Sequence, residues 1–324
     1  LYWSGDARMR YTASSLKDKK DAYDGRIRLN VKGQVNDATY VQGQFVNNMN
    51  FKDEASSNTT MAQIYVNHNF NKNVAVRLGR QPIVFGDQGG WLYNGLEGYD
   101  GAQASYNNGK LALTTGFGQL NASELATLNI KAGDKYDGDT APADATLYGV
   151  TSTDIGFAKL GADYIKFQGD ADSSDHYVAG QEIYGVNLTI PVQKFNVFGD
   201  YYKNTTIGDY DTAWNAGLSY GKADWKKAGT WDLSVAYNDV DAGVYFGGGT
   251  WHNDMLKNFA NASYDKTNKE WTIAGADNLT FWTAIANVTL QKNVQLHAEY
   301  AFGADLEKAA DPDDAWTVSL NYKF

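Results

Sequence analysis

From residue 3 onward the chain alternates. Trp3, Gly5, Ala7, Met9 and Tyr11 share one parity, and Ser4, Asp6, Arg8, Arg10 and Thr12 the other. The next segment repeats this, with Tyr23, Gly25, Ile27, Leu29, Val31, Gly33 and Val35 set against Asp24, Arg26, Arg28, Asn30, Lys32 and Gln34. Successive side chains of a strand point to opposite faces, so each segment has one apolar and one polar side. Helical periodicity is nowhere sustained. Followed to the end, the pattern predicts strands near 3–12, 23–35, 39–48, 61–70, 74–81, 99–107, 110–118, 146–154, 156–167, 177–190, 194–204, 212–221, 230–239, 279–290, 293–303 and 315–324. Pro82, Pro142, Pro191 and Pro312 fall between these segments, as expected where strand interiors donate to a ladder.

The connections alternate in length. Short turns near 36–38, 71–73, 107–109, 154–156, 190–193, 221–229 and 290–292 are separated by long polar loops near 13–22, 49–60, 82–98, 119–145, 168–176, 205–211, 240–278 and 304–314. An antiparallel meander with tight turns at one end and long loops at the other is the arrangement of a transmembrane barrel. Sixteen strands enclose a lumen too wide for side chains to fill, so water takes the polar face and lipid the apolar one. Charges such as Arg8, Arg28, Arg77, Asp200, Asp232 and Glu299 on the polar faces would be very costly in a packed sandwich core. Apolar faces that begin or end in an aromatic, as with Trp3 and Tyr11 or Trp231 and Tyr237, fit the aromatic girdles of such a barrel. The expectation is an all-β, 16-stranded antiparallel transmembrane barrel, 1–324 as a single unit.

Composition narrows the function classes. The absence of cysteine excludes disulfide scaffolds, thiolate metal sites and cysteine nucleophiles. A mean hydropathy of -0.49 without a long apolar run excludes membrane-spanning helices. A formal charge of -10 argues against a nucleic-acid partner, which needs a basic surface. The chain opens directly on patterned sequence, so any export leader is expected to have been removed or never included.

The last segment, Trp316-Thr-Val318-Ser-Leu320-Asn-Tyr322-Lys-Phe324, alternates throughout and stops on phenylalanine. It is similar to the C-terminal strand by which outer-membrane proteins are recognised for assembly. Together with sixteen strands and a long loop after the fifth, the whole chain resembles the general diffusion porins of the bacterial outer membrane. Trp3-Ser-Gly-Asp-Ala-Arg-Met-Arg-Tyr11 and Leu78-Gly-Arg-Gln-Pro-Ile-Val-Phe-Gly86, followed by Gly98-Tyr-Asp-Gly-Ala102, look more narrowly like the OmpM-type porins of diderm Firmicutes. The resemblance implies an integral outer-membrane location and a water-filled channel for passive diffusion of small hydrophilic solutes and ions. It also implies short periplasmic turns, long extracellular loops, a third loop folded into the lumen, and a homotrimer. The partners implied are outer-membrane lipid and lipopolysaccharide, and the barrel-assembly machinery acting through Trp316, Val318, Leu320, Tyr322 and Phe324. Peptidoglycan would be reached only through an N-terminal S-layer homology domain, which is expected to be absent from residues 1–324. No cofactor and no enzymatic activity are expected. A substrate-specific channel and a structural barrel with a closed lumen remain as alternatives.

All six arginines lie in the first quarter of the chain, and Arg8, Arg10, Arg26, Arg28 and Arg77 have lumen parity. A regular hairpin closed near residue 17 or 18 sets Arg10 opposite Arg26 and Arg8 opposite Arg28. Opposed like charges are destabilising, so such a patch points to use at a pore constriction; the competing reading pairs the arginines with Asp6 and Asp24 as a solvated wall. Asp87, Glu97 and Asp100, in and beside the third loop, are the expected acidic rim facing that patch, giving a transverse field across the pore. Each of the three also has the simpler reading of a partner for nearby backbone. Asp170, Asp172 and Asp175, and Asp311, Asp313 and Asp314, supply oxygens suited to divalent cations but also fit solvated acidic loops. The four histidines, at 68, 176, 252 and 297, read as isolated, and no serine nucleophile accompanies His297 and Glu299. Outward Gly5, Ala7, Gly25, Gly33 and Gly43 would let a second copy approach closely.

Overall fold

The alternation becomes a ladder that closes on itself. The computed structural model describes residues 1–17, 19–52, 58–86, 93–120, 146–168, 182–206, 208, 210–244, 251–260, 262–265, 270–273 and 278–324. Its strands are β1 (Tyr2–Ala13), β2 (Ala22–Asn36), β3 (Thr39–Asn50), β4 (Asn58–Asn69), β5 (Val74–Phe85), β6 (Tyr93–Asn107), β7 (Leu111–Leu120), β8 (Thr146–Asp154) and β9 (Lys159–Phe167). They continue as β10 (Glu182–Val192), β11 (Phe195–Asn204), β12 (Thr212–Gly221), β13 (Trp231–Asp241), β14 (Ala262–Asp265), β15 (Glu270–Ile273), β16 (Asn278–Gln291), β17 (Val294–Leu306) and β18 (Ala315–Lys323). Each barrel strand pairs antiparallel with its neighbours in sequence, and β1 pairs with β18 to complete a ring of sixteen. The short β14 and β15 pair only with each other, inside the connection between β13 and β16.

Parity is obeyed around the ring. Trp3, Met9, Ile27, Leu78, Val197, Leu218 and Val235 point outward and are exposed. Their inward neighbours include the buried Arg8, Gln81, Asn187, Asp200, Asn238 and Glu299. Towards the short-turn end, Phe195, Tyr220 and Trp231 stack in series on the outer face, with ring centroids 4.8 and 5.4 Å apart. Towards the other end, Trp214, Tyr237 and Trp282 form a second row at 5.6 and 5.2 Å, and Tyr11 meets Trp316 at 5.0 Å. Two aromatic rows bracketing an aliphatic band are what a lipid-facing barrel surface requires.

The seam is closed by a glycine. Gly5 and Phe324 exchange backbone hydrogen bonds at 2.7 and 3.0 Å, and the phenyl ring lies where a Cβ on residue 5 would be, 2.6 Å away. Phe51 covers Gly25 likewise. These two glycines are therefore already capped by aromatic rings of this chain, whereas nothing covers Gly33 or Gly43 within 4 Å.

Three expectations change. The β5–β6 hairpin continues to Phe85 and Tyr93, so most of the stretch 82–98 is strand. Pro82 sits inside β5 at a register break between Gln81 and Ile83, and Pro191 near the end of β10; both tolerate the missing N–H because the ladder is irregular or ending there. The lumen is also not lined by water alone. A buried apolar cluster including Phe85, Tyr99, Tyr148, Phe167, Tyr202, Met255, Leu256 and Phe281 packs on its inner wall, because two connecting segments fold inward.

Candidate functional site

The register between β1 and β2 differs from the expected one by two residues. Arg8 faces Arg26, while Arg28 faces Asp6 and Arg10 faces Asp24. Only one like-charged pair is therefore directly opposed. Arg28 Nε donates to both oxygens of Asp6, at 2.9 and 2.8 Å, and Arg26 reaches the same carboxylate at 3.2 Å. Arg10 Nε donates to Asp24 at 2.9 Å, and Arg8 lies 3.7 Å from it. The pairing with Asp6 and Asp24 is thus formed, yet four guanidinium groups share two carboxylates, leaving an excess of two positive charges on this wall. Arg10, Arg26 and Arg28 keep 17–24% side-chain exposure to the lumen, whereas Arg8 falls to 8%.

Arg8 is covered by the connection between β13 and β16, which the sequence had suggested was an ordinary outer loop. Its residues 251–260 enter the lumen and are anchored twice. Glu299, projecting from β17 and 3% exposed, accepts hydrogen bonds from His252 N at 2.8 Å, Asn253 N at 3.0 Å and Asn253 Nδ2 at 2.9 Å. In the other direction Asp254 accepts from Ser14 Oγ at 2.6 Å, Ser15 N at 2.8 Å and Ser15 Oγ at 2.9 Å, just beyond β1. Asn258 adds a bond to Ser15 Oγ at 2.8 Å, and Trp251 meets Phe281 edge-on at 5.4 Å. Burial, reinforced by His297, Arg8 and Arg10 against the pull of Glu299, lowers His252 to about 3, so its ring is neutral beside Arg8 Nη1 at 3.4 Å.

His252 and His297 are accordingly not isolated: their ring centroids lie 4.7 Å apart. With Glu299 they bring ligand-type atoms within 4.8 Å of one another. The donor set suits a transition metal in kind, but both Glu299 oxygens already accept N–H groups of the loop and the excess arginine charge stands beside it. The arrangement is better described as a clamp on the loop. Sequence held one clue to it, an inward glutamate and histidine on β17 with no partner of opposite charge on β16 or β18.

The second inward element is the end of β5, Phe85 and Gly86, which lies against the wall formed by β8–β11, halfway round the ring from β1 and β2. Phe85 and Tyr99 each meet Tyr148 edge-on, at 5.8 and 4.9 Å. At Gly86, with φ +90°, an added Cβ would stand 2.7 Å from Tyr202 Oη and 3.0 Å from Asp200 Oδ1. Tyr202 Oη in turn donates to Asp163 at 2.9 Å. Phe85 and Gly86, at the end of β5, thus turn into the lumen, and the stretch expected as loop is strand on both sides of residues 87–92, which lie outside the described residues.

The acidic rim fares differently. Asp100 is a correction: it points outward from β6 and forms a bidentate pair with Arg80 at 2.7 and 2.6 Å, because residue 99 takes the inward parity. Asp87 lies outside the described residues, and Glu97 falls within β6 with its side chain outside them. Arg77 is inward as expected but stands apart on β5, its Nε donating to Asn67 at 3.1 Å and its guanidinium 5.1 Å above the Tyr65 ring. Asp311 and Asp314 accept backbone N–H bonds from Leu306 and Gly303. Asp170, Asp172 and Asp175 lie outside the described residues. Trp316 and Val318 face outward on β18, and Phe324 completes the seam.

No family model matches this chain, and no curated protein does. Solved structures do. A mutant porin of Rh. blastica aligns over 100% of this chain and 99% of its own, with a TM-score of 0.59 at 11% identity. A loop-deletion mutant of OmpT, an outer membrane protein of Vibrio cholerae, aligns over 100% and 98%, with a TM-score of 0.61 at 12% identity. In-vitro folded OmpT, in its trimer form, gives a TM-score of 0.56 at the same identity. The likeness at this identity is one of fold.

Proposed function

We propose that the chain is an integral outer-membrane porin, a water-filled channel through which small hydrophilic solutes and ions diffuse passively. The observation that carries this is the inversion of the barrel: aliphatic outside between aromatic rows, and ionic inside, with arginines that stay partly open to the lumen. The constriction lies between the docked segment beside Arg8, Arg10, Arg26 and Arg28 and the end of β5 at Phe85 and Gly86 on the opposite wall. Asp87 and Glu97 belong to the β5–β6 hairpin, so they supply the acidic side of a transverse field, while the basic side holds the unbalanced charge. The short turns then lie in the periplasm and the long loops outside, facing lipopolysaccharide. A homotrimer is supported by the uncovered outward Gly33 and Gly43 and by fold likeness to a protein solved as a trimer. The assembly machinery would read β18 through Trp316, Val318, Leu320, Tyr322 and Phe324. The OmpM-type affinity rests on the motifs at 3–11 and 78–86, and with it any tie to peptidoglycan through a further domain.

Purified protein in a planar bilayer tests the reading. Steps of nanosiemens size are expected. A specific observation favours one rival: two inward segments and an apolar cluster occupy part of the lumen, which a structural barrel with a closed lumen would also show. Silence in the bilayer from correctly folded protein would favour that rival.

A further inference from the structure

Charge is sorted along the barrel axis. The short connections carry lysine at 72, 110, 194, 222, 226, 227 and 292 against aspartate only at 37 and 224, whereas the long connections are dominated by acids. One of the short ones, 222–230, is longer than the rest and leans to one side. Asn293 N donates to Trp225 O at 2.7 Å, Gly229 N to Thr289 O at 2.8 Å, and the Trp225 ring lies under Lys323 Nζ at 3.9 Å. Leaning towards the β16–β17 turn opens a gap on its other flank, against the β10–β11 turn. That gap is a cavity of about 500 Å3 whose lining includes Lys194, Lys222, Asn196, Thr230, Tyr220 and Trp231.

Its lining carries two lysines and no acid. Asp232 is turned away, accepting from Ala223 N at 2.9 Å and Asn287 Nδ2 at 2.7 Å, and Asp224 is used by Lys226 N at 2.9 Å. Neither Lys194 nor Lys222 forms an ion pair among the described residues. Tyr220 and Trp231 belong to the outer aromatic row, so the cavity opens at the level where lipid headgroups meet the barrel, directly below the aliphatic face of Val197, Leu218 and Leu233.

We propose that this cavity binds the phosphodiester headgroup of an anionic glycerophospholipid in the leaflet at the short-turn end. Lys194 and Lys222 take the phosphate, and the acyl chains run up the aliphatic face beyond Tyr220 and Trp231. The site rests on the membrane reading above but not on the channel being open.

The test is native mass spectrometry of the full chain released from detergent, titrated with phosphatidylglycerol, with phosphatidylcholine and with inorganic phosphate. Phosphatidylglycerol is expected to be retained over phosphatidylcholine. Replacing Lys194→Gln and Lys222→Gln together should weaken that retention by roughly 25-fold, about fivefold per lysine. The pair Lys72→Gln and Lys110→Gln, at the same end but outside the cavity, should leave it unchanged. Equal retention of both lipids, equal losses in the two double variants, or phosphate held as well as the lipid would each overturn the site. If the cavity variant folds poorly, the ratio of the two lipids on the unmodified protein decides. A silent bilayer with lipid preference intact would remove the channel and leave this site; normal conductance without preference would do the reverse.

Discussion

Glu299→Gln keeps the shape of the clamp on residues 251–260 and removes its charge. Glu299 takes three hydrogen bonds from His252 and Asn253, and lies 2.9 Å from His297 Nε2. Bonds to a charged acceptor contribute about 1.5–3 kcal/mol, against about 1 kcal/mol for neutral ones, so three of them lose roughly 3 kcal/mol together. Working against this, the buried carboxylate no longer has to be kept from water, and the net loss of docking falls to roughly 1–3 kcal/mol. That raises the undocked population roughly five- to 150-fold. The anchors from Asp254 to Ser14 and Ser15 remain, so the segment should come and go rather than leave. Amides of His252 and Asn253 should exchange hydrogen faster in detergent, and single-channel records should show new, brief excursions to higher conductance as Arg8 is uncovered. Unchanged exchange together with an unchanged open level would refute the clamp. Faster exchange with a steady open level would show that the segment does not bound the pore.

Replacing Arg10 and Arg26 with Ala brings the patch to two arginines against Asp6 and Asp24; reversal potentials should move towards cations and larger solutes should enter liposomes faster, while a variant that fails to assemble would mark these arginines as structural. Lowering the pH should loosen the docked segment. His252 sits at about 3 when docked and near 6.5 when released, so the released form binds more protons across that window and docking weakens as pH falls through it. Asp254 acts in the same sense: burial alone would raise it, but the bonds from Ser14 and Ser15 with Lys19 nearby hold it below 3.8, so its contribution is lost as pH falls through that lowered value. Channel noise at pH 4.5 no greater than at pH 7.5 would contradict this. Gly86→Val meets Tyr202 and Asp200 at a φ that disfavours a side chain, so the end of β5 should lift and conductance rise, with an unaltered open level counting against its place in the lumen.

The barrel was legible because its information is local. Alternation from Trp3 to Tyr11 or from Trp316 to Phe324 fixes strand and face together, and the contrast of short and long connections orders the meander. Contacts that turn the polypeptide back into the lumen carry no such period. Pro82 and the glycines at 86, 89 and 90 read as loop, yet the hairpin runs on past Pro82 because the register break absorbs the missing donor. Residues 251–260 hold Trp251, Met255 and Leu256 without alternation, and the group that holds them, Glu299, lies in another strand. The arginine register erred by two because turn geometry, which sets it, is not specified by Ser14 to Asp21. Asp100 was assigned by its nearness in sequence to the third connection, although the buried Tyr99 beside it assigns the inward parity.

The seam between β1 and β18 also bears on how the ring forms. Almost every other pairing joins strands adjacent in sequence, so a curved, open sheet can grow hairpin by hairpin. The seam joins residues such as Thr12 and Thr317, a separation of 305. For a flexible chain, closing that span costs roughly 5 kcal/mol in entropy, against roughly 2 kcal/mol for a ten-residue turn. A preformed curved sheet lowers this by holding the two edges near each other. Until they zip, Gly5 and Phe324 end two unpaired edges, each a template for another chain. Growth of the ring is thus gradual and its completion abrupt, and a defect at Gly5 should show itself as slow closure and edge-to-edge aggregation before it shows itself as a less stable barrel.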